Sequence, residues 1–103
     1  MEKVIQKKVK IGTLGSCLCT FYNNGKAKVM IIDSIEVDRT HRRLGIGTQI
    51  IERAIVLARK RNVDSIELNV NKNNMPAKKL YEKVGFEKTN KDYYRLILNK
   101  LTI

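Results

Sequence analysis

Polar and apolar residues alternate through the first third of the chain, then recur at helical spacing in the middle. Residues 3–11 alternate loosely and are then punctuated by Gly12, Thr13 and Gly15, which predicts a strand and a turn. Residues 17–22 form a short β-prone run ended by Asn23-Asn24-Gly25, a strong hairpin signal. Residues 28–37 (KVMIIDSIEV) are rich in β-branched side chains and read as a longer strand buried on at least one face. An antiparallel meander of three strands is expected.

The period then changes. A glycine-rich turn at 44–47 leads into residues 48–61, which contain no Gly or Pro. Their apolar positions Ile50, Ile51, Ala54, Leu57 and Ala58 fall on one helical face. Residues 63–70 return to strand, with Ile66, Leu68 and Val70 on one face and Glu67 and Asn69 on the other. Asn74 is placed to cap a second helix, with Pro76 in its first turn and Gly85 as its left-handed stop. A short strand around Phe86 and a longer one over 93–101 complete the order β-β-β-α-β-α-β-β. Strand 28–37, helix and strand 63–70 make a βαβ unit, so these two strands should lie parallel in a mixed α/β sheet.

At 103 residues the chain has room for one domain, spanning 1–103. Its 43% hydrophobic content suits a folded protein. No apolar stretch approaches the roughly 20 residues of a membrane span, and no secretory signal is visible, so a cytoplasmic location is expected. Cys17 and Cys19 sit one residue apart, on one face of an extended segment, and read as reduced thiols. With only His41 as a further soft ligand, no metal site is expected. The 21 Lys and Arg set against 10 Asp and Glu give +11. That charge suits either a polyanionic partner or a solubilising surface. With 6% aromatic residues and no base-reading motif, nucleic acid is the weakest of the candidate partners.

The candidate chemistry begins at Arg42-Arg43-Leu44-Gly45-Ile46-Gly47-Thr48, where a buried strand meets a helix. Two glycines allow close backbone approach, and the helix start aims unpaired N–H groups and its positive end outward. This is an anion site that would fit a pyrophosphate. It is not a P-loop, and the dinucleotide fingerprint fails because Ile50 holds the third glycine position.

Arg-x-x-Gly-x-Gly after an Ile-x-Val-Asp strand resembles motif A of the GCN5-related N-acetyltransferase superfamily. Asn74-x-x-Ala77-x-x-Leu80-Tyr81-x-x-x-Gly85-Phe86 resembles its second signature. The nearest resemblance is to the branch acting on N-terminal α-amines, ribosomal proteins included. The resemblance implies an acetyl-CoA co-substrate whose pyrophosphate lies on main-chain N–H groups from Arg43 to Thr48, with charge from Arg42 and Arg43. It implies that Ile35 and Val37 pair with pantetheine, that Asn74 contacts it, and that an N–H near Ile35 or Glu36 polarises the thioester carbonyl. Tyr81 matches the acid that protonates the departing thiolate, although its spacing alone also suits a core tyrosine. The usual base positions hold Ile31 and Asn69 here. Asp33, Glu36 and Glu67 are the nearby acids, and an ordered water is expected to stand in for a base. Tyr93 and Tyr94 resemble a tyrosine pair that holds a peptide substrate.

The chain starts almost at the hairpin, so the resemblance implies a fold without the usual preceding strand and helix pair. The acceptor side is then open or completed by a second copy, which keeps a homodimer among the expected partners. The preferred reading is acetyl transfer to a protein or peptide amine, the α-amine before lysine. The alternatives are a small-amine acetyltransferase and a CoA-binding regulatory module that has lost catalysis.

Overall fold

The computed structural model describes residues 5–23, 25–41, 44–90 and 92–98. It contains strands β1 (Ile5–Ile11), β2 (Gly15–Asn23) and β3 (Lys28–Val37), helix α1 (Ile46–Lys60), β4 (Ser65–Asn69), α2 (Met75–Val84), β5 (Glu87–Asn90) and β6 (Tyr93–Ile97). A short 3-10 turn, Arg39–His41, precedes the loop into α1. One six-stranded sheet runs in the order β1-β2-β3-β4-β6-β5. Only the β3–β4 pair is parallel, as the βαβ reading requires.

Both helices pack on one face of the sheet. Ile50, Ile51, Ala54 and Ala58 of α1 meet Cys17, Cys19, Met30, Ile32, Ile66 and Leu68 in a single core. The opposite face carries no helix among the described residues. No described helix is long and apolar enough to cross a membrane.

Helix α1 starts at Ile46, two residues before the expected start, because Gly45 adopts a left-handed conformation (φ 78°) and caps it directly. Asn74 caps α2 as expected, its side chain accepting from Ala77 N at 3.2 Å, and Gly85 ends it at φ 112°. Strand β4 is shorter than the expected 63–70. Asp64 instead forms a clasp with Lys28, donating from its N to the Lys28 carbonyl and accepting the Lys28 N–H on its carboxylate, each at 2.8 Å. Phe86 is buried at the exit of α2 and the short strand begins one residue later. The expected end of the last strand, 99–101, lies outside the described residues, as do residues 3 and 4 of the first.

One feature of β3 decides where the site forms. Leu18 pairs with Asp33 and Ser16 with Glu36, so β3 holds one residue more than β2 between these pairs. The extra residue makes a bulge around Ser34, whose φ is +51°. Inward-facing positions are even-numbered before it (Met30, Ile32) and odd-numbered after it (Ile35, Val37).

Candidate active site

The parallel ladder runs from Val29↔Ser65 to Ile32↔Leu68 and stops there. Beyond it the bulge bends β3. The end of β4 is held towards β6, where Val70 N donates to the Asp92 carbonyl at 2.8 Å. The two strands therefore part, and a cleft opens between them.

The outer part of the cleft, about 600 Å³, is walled by Ile35 and Val37 of β3, by Gly45–Thr48 and by Pro76, Ala77 and Leu80 of α2. The inner part, about 190 Å³, reaches Ile31 to Ser34 on β3 and Asn69 and Asn71 on the other side. Ile35, Asn74, Ala77 and Tyr81 line both parts, so the two are continuous.

The outer end suits an anion. Helix α1 has no side-chain cap and no acidic residue in its first turn. The N–H groups of Ile46, Gly47 and Thr48 thus have no intrahelical partner, and the helix presents its positive end to the cleft. The walls meet closely at Gly47, where a Cβ would stand 3.2 Å from Leu80 Cδ2. Leu44, which precedes this turn, is 63% exposed and is not among the lining residues. Arg42 and Arg43, the charged half of the predicted turn, lie outside the described residues.

Tyr81 stands where the two parts join. It is 6% exposed, with its ring against Phe86 at 6.0 Å and Tyr94 at 6.3 Å. Its hydroxyl has no hydrogen-bond partner among the described residues. Burial, with a further contribution from the neighbouring Cys17, pushes its pKa up to about 12. Tyr81 is therefore a neutral phenol with a proton to give at any ordinary pH.

The structure brings most of the predicted residues together. Ile35, Val37, Gly45, Ile46, Gly47, Thr48, Asn74 and Tyr81 line one cleft, with Asn69 at its inner end. Glu36 does not join them. It lines a separate depression with Lys10, Thr13, Leu14, Ser16 and Asp38, so its carboxylate is not gathered with Tyr81 and Asn69. The tyrosine pair also divides. Tyr94 is 1% exposed and donates its hydroxyl to Glu82 Oε2 at 3.2 Å, so it is a core residue beneath α2 rather than a substrate contact. Burial and then the Glu82 carboxylate push its pKa upward. Tyr93 points to the helix-free face and donates its hydroxyl to Glu67 Oε1.

Three wall residues were readable only as core. Ala77 and Leu80 share the apolar stripe of Tyr81, and Pro76 looked like a helix-start residue alone. Their signal was the stripe itself, whose first turn faces the cleft and whose last turn faces the sheet.

Comparison with known proteins agrees with this geometry. A model of the Acetyltransferase (GNAT) family matches residues 6–86. The probable N-acetyltransferase san of Drosophila melanogaster is 37% identical over 87 residues, covering 82% of this chain and 47% of that protein. The chain thus spans about half the length of that curated relative. Among solved structures, the NatC complex bound to Gag peptide and CoA aligns with a TM-score of 0.75 at 25% identity, covering 87% of this chain and 67% of that one. Arabidopsis thaliana Naa50 in complex with the bisubstrate analogue CoA-Ac-MVNAL aligns with a TM-score of 0.68 at 28% identity, covering 80% and 62%.

Proposed function

The chain belongs to the acetyltransferase (GNAT) family, and from that premise we propose that it moves the acetyl group of acetyl-CoA onto a protein or peptide amine, the α-amine in preference to lysine. The observation that carries this reading is the parted β3–β4 pair, with a helix start that has no side-chain cap at one end and, at the other, a buried tyrosine whose hydroxyl has no partner among the described residues. Pyrophosphate would lie on the N–H groups of Ile46–Thr48, and the extended backbone around Ile35 and Val37 would pair with pantetheine as an added strand does. The related complexes that hold CoA together with a peptide support both the co-substrate and the acceptor class.

The chemistry follows from the placement of groups. A neutral amine attacks the thioester carbonyl, the C–N bond forms and the C–S bond breaks. The departing thiolate takes the Tyr81 proton. A main-chain N–H at the bulge would stabilise the developing oxyanion. An α-amine, with a pKa of about 7.7–8, is substantially neutral near pH 7.5, whereas a lysine at about 10.4 is almost wholly charged. The inner wall holds Ile31 and Asn69, neither of them a base, at the positions the resemblance assigns to one, with Asp33 as a carboxylate further along β3, and this favours the former.

Calorimetric titration of acetyl-CoA tests the cofactor half. Gly45→Asp is a suitable control, because nothing lies within 4 Å of a Cβ at that position and Asp tolerates left-handed backbone better than most residues. The added carboxylate would meet the incoming phosphates. Wild-type binding, weakened about tenfold or more in the variant, is the expected result. A folded wild-type protein that does not bind acetyl-CoA overturns the proposal.

A further inference from the structure

We propose that Tyr93 and Glu67 form the relay that accepts the proton of the attacking amine, with Arg95 as the residue that positions it. The inference rests on the acetyl-transfer reading above and names the group that reading leaves unassigned.

Strand β4 alternates, with Ile66 and Leu68 buried in the core and Glu67 on the helix-free face. Strand β6 does the same, sending Tyr94 inward and Tyr93 and Arg95 outward beside Glu67. The register fixes their relation to the cleft. Glu67 lies directly across from Ile31 of β3, and Tyr93 directly across from Asn69. Ile31 and Asn69 both line the inner cleft. The trio therefore stands beside the inner cleft, on the side away from the helices. A cofactor seated on Gly45–Thr48 enters from the helix side, so an acceptor reaching the same carbonyl has the opposite face left to it.

The hydrogen bonds give the trio a direction. Arg95 Nε donates to Glu67 Oε2 at 3.1 Å, and the Tyr93 hydroxyl donates to Oε1. The Glu67 side chain is only 14% exposed and Arg95 holds it in place. Because the Tyr93 proton is committed to Glu67, the phenol oxygen presents lone pairs to whatever approaches. It can accept from an N–H and has nothing to offer a carboxylate. As the amine nitrogen bonds to the carbonyl carbon it becomes positively charged and acidic. It then passes one proton to Tyr93 Oη while the tyrosine's own proton moves to Glu67. Glu67 ends neutral and returns the proton to solvent, the thiolate takes its proton from Tyr81, and solvent returns a proton to the Tyr81 phenolate.

Glu67→Gln keeps the shape and an acceptor oxygen for Tyr93 but removes the charge that receives the proton. With a peptide α-amine acceptor, kcat should fall on the order of a hundredfold. The thermal midpoint and the acetyl-CoA affinity should hold, and the residual rate should climb with pH as hydroxide takes over. Tyr93→Phe should lose a similar factor and the double variant no more, as expected of groups acting in series. Arg95→Ala should lower kcat, and Arg95→Lys should restore part of it. Wild-type turnover with Glu67→Gln and Tyr93→Phe both retaining the wild-type kcat and pH profile overturns the relay and leaves acetyl transfer standing. A lowered midpoint with kcat intact marks the trio as a staple between β4 and β6, and also overturns it. A wild-type protein that binds acetyl-CoA but acetylates no amine overturns the acetyl-transfer reading and the relay with it.

Discussion

At the scale of single residues, Tyr81 shows how one environment serves both packing and chemistry. Its ring is part of the core and its hydroxyl is part of the cleft, and the same burial raises its pKa to about 12. A group whose folded pKa lies above its ordinary value of about 10 stabilises the fold in full below pH 10. That contribution is lost as pH rises through about 12, and two units correspond to about 2–3 kcal/mol. The wild-type protein should thus lose stability between pH 10 and 12 relative to Tyr81→Phe, as urea midpoints measured at each pH would show. Near neutrality the same variant should lose kcat by on the order of a hundredfold in a chemistry-limited assay. Unchanged turnover would remove Tyr81 as the acid. Spacing alone could not separate these roles, because Tyr81 falls on the stripe of Ala77, Leu80 and Val84. Nor could it say which of Tyr93 and Tyr94 points inward, since strand alternation fixes that two neighbours differ but not which is which.

Among the elements, those with local signals were the legible ones. Asn74, Pro76 and Gly85 mark α2 because caps and stops act within one turn of chain. The β3–β4 parallel pairing follows from the βαβ order. The bulge at Ser34 was not legible, because it is a mismatch in residue count between two strands and neither strand contains it alone. The face that Glu36 occupies was not legible for the same reason, since one extra residue exchanges the faces of everything after it. The β2 side of that junction is as tightly specified. A Cβ at Gly15 would stand 2.7 Å from Ile50 Cδ1 and 2.8 Å from the Glu36 carbonyl oxygen. Gly15→Ala should therefore destabilise the protein by about 1–3 kcal/mol, the usual cost of overpacking. Chemical denaturation of Gly15→Ala beside wild type checks this, and an unshifted midpoint would mean that the strand slides to accommodate the methyl.

For the molecule as a whole, the net charge of +11 is spread unevenly, with carboxylates among the residues at and beside the inner cleft. Asp33 lines the inner cleft, and Glu36, Asp38 and Lys10 line the neighbouring depression. Hydrogen bonds from the Thr40 side chain and backbone hold the Asp38 carboxyl below its usual range, so its charge persists at neutral pH and well below. Lys26 and Lys28 lie beside Asn62 at the far end of the hairpin, and Arg59 and Lys60 stand in the last turn of α1. Which charge an acceptor feels depends on screening. At 0.01 M salt the Debye length is about 30 Å, beyond the 13.7 Å radius of gyration, and the whole cationic field acts on an approaching peptide. At 0.15 M it is about 8 Å, and only charges close to the cleft are felt. Acidic acceptor peptides should thus be preferred at low salt through faster association. That preference should shrink or vanish by 0.15 M as the long-range field is screened. Measuring kcat/KM for a matched acidic and basic peptide at both salt concentrations gives the answer directly. Equal values at 0.01 M would show that net charge takes no part in choosing the acceptor, leaving that choice to contacts at the cleft itself.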